Sequence, residues 1–166
     1  DFVAAFFAAK TRAKMRTKRP PVLFLSELAR LEWAVTSIFD RADETPLSHA
    51  AITAVPAKRW EHVRMGVRPT VEVYAFHYPV NRYLQAVLDD TTPAIPRKGA
   101  SWCQVYRVEH RVWRLDIEAG RYQLLRALMD GMPLGQALEI AAATIVDEQA
   151  AAATVQGWFA DWVNDG

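Results

Sequence analysis

The sequence predicts a mainly α-helical protein with a small β component, divided into a helical N-terminal domain and a C-terminal domain of different pattern. Three observations carry this expectation. Most of the chain repeats apolar residues with a helical period. Residues 91–99 (TTPAIPRKG) then interrupt it with two prolines and a glycine. Beyond them, two short alternating stretches precede three helical ones. With 166 residues, 51% of them hydrophobic, the chain has the material for one ordinary domain or two small ones with a proper core.

Residues 2–9 (FVAAFFAA) read as the end of a helix, which implies further sequence upstream of Asp1. A basic run from Lys10 to Arg19 follows, read as a solvated linker or a contact for an anionic partner, and Pro20-Pro21 closes it. The next helix is expected from Ser26, a plausible N-cap, to Ala42. The stretch DETPLSHAAITAVPAKRWEHV suits short helices. VEVYAF, within MGVRPTVEVYAFHYPV, alternates as an extended segment does, and Pro79 opens a helix over NRYLQAVLDD. We place the domain boundary in the 91–99 linker, giving domains over 1–92 and 100–166. In the second, strands over 102–108 and 111–115 are joined by a tight Glu109-His110 connection. Helices over about 117–130, 133–145 and 147–164 follow, the first two separated by a Gly131 C-cap and a helix-opening Pro133. This order outlines a winged-helix module.

The helix beginning "SELARLEWA" has two misfits. Leu28, Leu31, Val35, Ile38, Phe39 and Ala42 form one apolar stripe. Glu32 falls inside it, where an unpaired charge would be costly, so a basic partner is expected: Arg64, Arg68 or Arg82, with Arg68 favoured. Trp33 falls outside it. With Arg30 and Asp40 it marks a second face that packs on another helix or anchors a partner protein.

Catalytic signals are missing from the sequence. It has no nucleophile elbow, phosphate-cradling glycine pattern, HExxH motif or paired carboxylates. The single cysteine, Cys103, forms no internal disulfide and has no assigned base. His49, His62, His77 and His110 lack ligand spacing, so no metal or other cofactor is expected in this chain. No membrane span or signal peptide is visible, and a cytoplasmic setting is the default. Charge is uneven: residues 1–90 carry 13 Lys and Arg against 10 Asp and Glu, residues 91–166 carry 7 against 9. That asymmetry bears on the winged-helix outline, because DNA contact needs cations on the recognition helix. From Gly131 to Gly166 there is no Lys or Arg, and PLGQALEIAAATI offers a groove only Gln136 and Glu139. A DNA-binding transcriptional regulator is therefore the second choice. The strand pair remains. Val105/Arg107 and Val112/Arg114 are read as giving each strand one packed and one polar face. An edge there would accept an extended peptide, and the arginines would attract its acidic residues.

Three segments carry a resemblance: "FLSELARLEWAVTSIFDRAD", "VRPTVEVYAFHYPV" and "VWRLDIEAGRYQLLRALMDGMPLGQALEIA". In this order and spacing they resemble the HvfC/BufC family, first labelled DNA-binding proteins. The resemblance implies a non-catalytic partner of a multinuclear non-haem iron oxidative (MNIO) enzyme. Such enzymes modify cysteine or other residues of ribosomally made precursor peptides, often in operons for copper or other metal handling. It implies that the iron lies in the enzyme and that the two proteins form a heterodimer. It also implies that residues 1–92 are the C-terminal part of a larger helical region. The C-terminal module is similar to the PqqD-type peptide-recognition element, which takes a leader peptide on a strand edge. That edge is expected around Cys103, Val105 and Arg107 or around Val112 and Arg114, with both strands open as candidates.

Overall fold

The computed structural model describes residues 20–45, 48–145 and 148–164. The helix expected over 2–9 and the basic run Lys10–Arg19 lie outside them. The described elements are α1 (Val22–Phe39), α2 (His49–Thr53), a 3-10 helix (Ala57–His62), β1 (Val71–Phe76), α3 (Val80–Leu88), β2 (Ser101–Val108), β3 (Arg111–Ile117), α4 (Ala119–Met129), α5 (Leu134–Ala142) and α6 (Glu148–Asn164). The fold is mainly helical with one small antiparallel sheet, in the order β1-β2-β3.

β2 and β3 form the expected hairpin, paired from Trp102↔Ile117 to Val108↔Arg111. Glu109 turns it with a positive φ of 53°. β1 comes from the other side of the 91–99 segment. It pairs with β2 from Val71↔Tyr106 to Phe76↔Ser101, so residues before and after that segment share one sheet.

Residues directly opposed across a ladder point to the same face. One face therefore carries Tyr74 and Phe76, Cys103, Val105 and Arg107, and Val112, Arg114 and Asp116. Its apolar members pack with Phe24, Leu31, Ala34 and Ile38 of α1 and with Val80 and Leu84 of α3. The other face carries Val73, Trp102, Gln104 and Ile117 and meets Leu125, Tyr122 and Met129 of α4 and Trp162 of α6. A third cluster joins α4, α5 and α6 around Leu124, Leu128, Ala137, Ala141 and Trp158, with Trp60, Met65 and Val67 packed against it. The sheet is a wall between two helical layers. Val105, Arg107, Val112 and Arg114 do not separate into a packed and a polar face, as the alternation suggested. They share the α1 side, because residues two apart on a strand point to one face and Arg107 stands opposite Val112 and Val105 opposite Arg114.

Two helix termini differ from expectation. Pro20-Pro21 does not delay α1 to Ser26; the helix starts at Val22, and the Ser26 hydroxyl donates back to the Leu23 carbonyl instead of capping. Pro133 stands at the N-cap of α5. Gly131 has the expected left-handed φ of 74°, which a residue with a Cβ adopts only at a cost. Nearby, Leu134 N–H donates to the Val63 carbonyl, and Arg64 donates to that of Gly131. These bonds fasten the start of α5 to the segment after the 3-10 helix.

Candidate functional site

α1 buries Phe24, Glu27, Leu31, Ala34 and Ile38 against the sheet, and Glu32 is exposed. The expected Glu32–Arg68 pair does not form. Arg68 instead donates to Asp43 Oδ1 at 2.6 Å, and that bond holds the Asp43 carboxyl below the usual carboxylate range. Arg82 pairs with Asp116. The carboxylate that is buried is Glu27, 6% exposed. Its Oε1 lies 2.8 Å from both the backbone N and the Nδ1 of His77, and its Oε2 accepts from Tyr78 N–H at 3.1 Å. Glu27 thus ties the N-terminal half of α1 to the chain leaving β1. Its partners leave no mark in the sequence, because two of its three donors are backbone amides.

β2, as the central strand, has both backbone edges paired. This removes Cys103, Val105 and Arg107 as an edge for an incoming strand. Cys103 and Val105 are sealed in the core. Burial, helped by the Asp116 carboxylate, pushes the Cys103 thiol up to about 12, so it holds its proton and is a poor nucleophile. Arg107 donates to the Phe39 carbonyl at the end of α1 and lies 3.7 Å from Asp43.

β3 is an outer strand. Its geometry follows from β2: Arg107 N–H donates to the Thr70 carbonyl, extending the ladder toward β1, so Trp102, Gln104 and Tyr106 address β3. Their partners are Ile117, Leu115 and Trp113, which leaves the N–H and C=O groups of Val112, Arg114 and Asp116 pointing outward. Among the described residues no hydrogen bond engages these outward groups. The side chains beside them are fixed. Arg114 donates to Asn81 Oδ1 at 3.0 Å and to Gln85 Oε1 at 2.8 Å, and Asp116 accepts from Asn81 and Arg82 at 2.9 Å each. On the opposite side of the strand, Trp113 is 49% exposed, Leu115 is exposed, and Arg111 is an exposed cation. Both arginines expected to attract acidic residues, Arg107 and Arg114, are therefore already engaged within the fold.

The other candidate surface is the outer face of α1. Trp33 is 71% exposed and continues a stripe with exposed Val22, Leu25 and Ala29, one helical turn apart. Asp40 caps the same helix. Arg30 folds over the rings of Tyr74 and Phe76, with its guanidinium carbon 4.8 and 5.6 Å from their centroids. Among the described residues, no cluster of three or more His, Cys, Asp or Glu is placed to hold a metal ion, and no helix is long and apolar enough to cross a membrane. No family model, curated protein or solved structure matches the chain.

Proposed function

We propose that this protein is a non-catalytic partner subunit of an MNIO-type iron enzyme, recruiting the leader of a ribosomally made precursor peptide for cysteine-directed modification. The leader adds as a strand to the outer edge of β3, and the enzyme docks on the α1 face bearing Trp33. The observation that carries the reading is the row of unpaired backbone groups at Val112, Arg114 and Asp116. An unprotected edge is a template for another strand, and natural proteins otherwise cover or blunt it. The succession of three strands and three helices, and the three segments that resemble the HvfC/BufC family, favour this occupant over DNA. So does α5, whose exposed polar positions Gln136 and Glu139 supply no cation for phosphate. Iron chemistry belongs to the enzyme in this scheme, and the chain contributes binding and orientation.

The test is fluorescence anisotropy with a labelled leader peptide of an MNIO precursor, together with pull-down of an MNIO enzyme and an iron assay. Val112→Pro removes one outward donor and spares the β2–β3 ladder, so it is expected to fold normally and lose peptide binding. Trp33→Ala is expected to weaken enzyme capture alone. Wild-type peptide affinity in the Val112→Pro protein, or salt-resistant sequence-specific DNA binding, overturns the proposal.

A further inference from the structure

One recess adjoins the open edge of β3 on the α1 side. It is an open depression of about 400 Å³, lined by Val35, Thr36, Phe39 and Asp40 at the end of α1 and by His110 and Val112 from the hairpin. Its floor is apolar, with its polar groups contributed by Thr36, Asp40 and His110. Phe39 is 54% exposed, a large apolar side chain left against solvent at the end of a helix. Val112 belongs both to the recess and to the set of residues whose backbone groups point outward.

We propose that this recess is a specificity pocket, built by the N-terminal helix α1, for one apolar side chain of a peptide strand bound along β3. The inference rests on the peptide-recruiting role proposed above and adds which peptides are chosen. A strand paired with β3 runs about 4.8 Å from it and directs alternate side chains to opposite faces. The residue opposite Val112 projects toward α1, where Val35 and Phe39 wait. Two residues along on that face stands Arg114, held by Asn81 and Gln85, so the apolar requirement applies once and then gives way to a polar neighbour. On the other face the peptide meets Arg111, Trp113 and Leu115 in turn, which favours an acidic residue and two apolar ones. For the antiparallel arrangement, the preferred core read from its N-terminus is apolar, polar, apolar, apolar, acidic. The fourth position enters the recess.

The probe is a fluorescein-labelled synthetic peptide with the core Leu-Ser-Val-Leu-Glu, compared with one carrying alanine at the fourth position, by anisotropy against the full chain. Phe39→Ala is expected to weaken the first peptide about tenfold, the loss typical of truncating an aromatic anchor. It should leave the alanine peptide unchanged. Arg107 bonds the backbone carbonyl of Phe39 and not its ring, so the substitution preserves that tie. Equal weakening of both peptides by Phe39→Ala, or none, overturns the pocket. Absence of binding by the core peptide, with Val112→Pro-sensitive binding of the MNIO precursor leader intact, overturns the pocket and spares the edge. Failure of both probes to bind overturns the recruiting role itself.

Discussion

Removing the Glu27 carboxylate is expected to destabilise the protein far more than removing Glu32, although the two lie on one helix five residues apart. In Glu27→Ala the N–H groups of His77 and Tyr78 lose their acceptor. A buried donor left unsatisfied costs about 1–3 kcal/mol, and bonds to a charged group sit at the upper end of that range. Two such donors and the void left by the side chain give about 3–5 kcal/mol, against a total stability of about 5–15 kcal/mol for a domain. For a chain of this length each kcal/mol lowers the midpoint by about 2–4 °C, so a fall of about 6–20 °C is expected. Glu27→Gln keeps one acceptor oxygen but turns an amide N–H₂ toward the remaining donor, for an intermediate loss. Glu32→Ala, on the solvent side, should stay within about 0.5 kcal/mol of the parent. Urea denaturation followed by tryptophan fluorescence, with circular dichroism as a second probe, measures all three. A loss below about 1 kcal/mol in Glu27→Ala, or a Glu32→Ala loss as large as that of Glu27→Ala, would refute the reasoning.

At Gly120, α4 lies against α6 and the end of α5. An added Cβ would stand 2.9 Å from the Trp158 ring edge and from the Thr144 hydroxyl, and 3.3 Å from the Ala141 carbonyl. Gly120→Ala should cost about 1–3 kcal/mol by overpacking, despite the higher helix propensity of alanine, and thermal melting would show it. An unchanged or raised midpoint would mean that α6 gives way at no cost. Cys103 should resist iodoacetamide in the native protein at pH 8 and react fully in urea. The sign also predicts an alkaline limb. The folded thiol binds its proton more tightly than the unfolded one, so its contribution is whole below the ordinary thiol value. It erodes as pH rises toward about 12. Native alkylation at the rate of a free thiol would contradict both statements.

Local pattern located the elements better than it located their faces. The alternation in VEVYAF, the Glu109-His110 turn and the Gly131 stop all match observed features, because each is decided by a few adjacent residues. The apolar stripe expected on α1 is turned by about half a residue step from the buried one: it includes Phe39, which is exposed, and omits Phe24, Glu27 and Ala34, which are buried. Which arc of a helix is buried depends on the sheet beneath it, and that sheet includes β1, a strand separated from β2 by α3 and the proline-rich segment. The same distance in sequence hid the central position of β2. Without it, Cys103, Val105 and Arg107 had the same appearance as candidates that Val112 and Arg114 had. Glu27 escaped notice because backbone donors have no one-letter code. The recess beside Phe39 was equally hidden, since its walls are far apart in the chain and meet only where α1 packs on the sheet.

The wall-like sheet has a consequence for how the protein tolerates change. Along β2, odd-numbered side chains such as Cys103 and Val105 belong to the layer of α1 and α3, whereas Trp102 and Gln104 face α4. Neighbouring letters in one strand are thus constrained by different halves of the molecule. A substitution tally along β2 would alternate between two unrelated sets of compensating positions. A one-residue slip of register would send each side chain to the wrong layer at once. Two cores hold a single alignment in place, so the edge offered by β3 keeps a constant phase: the same three backbone positions always face out.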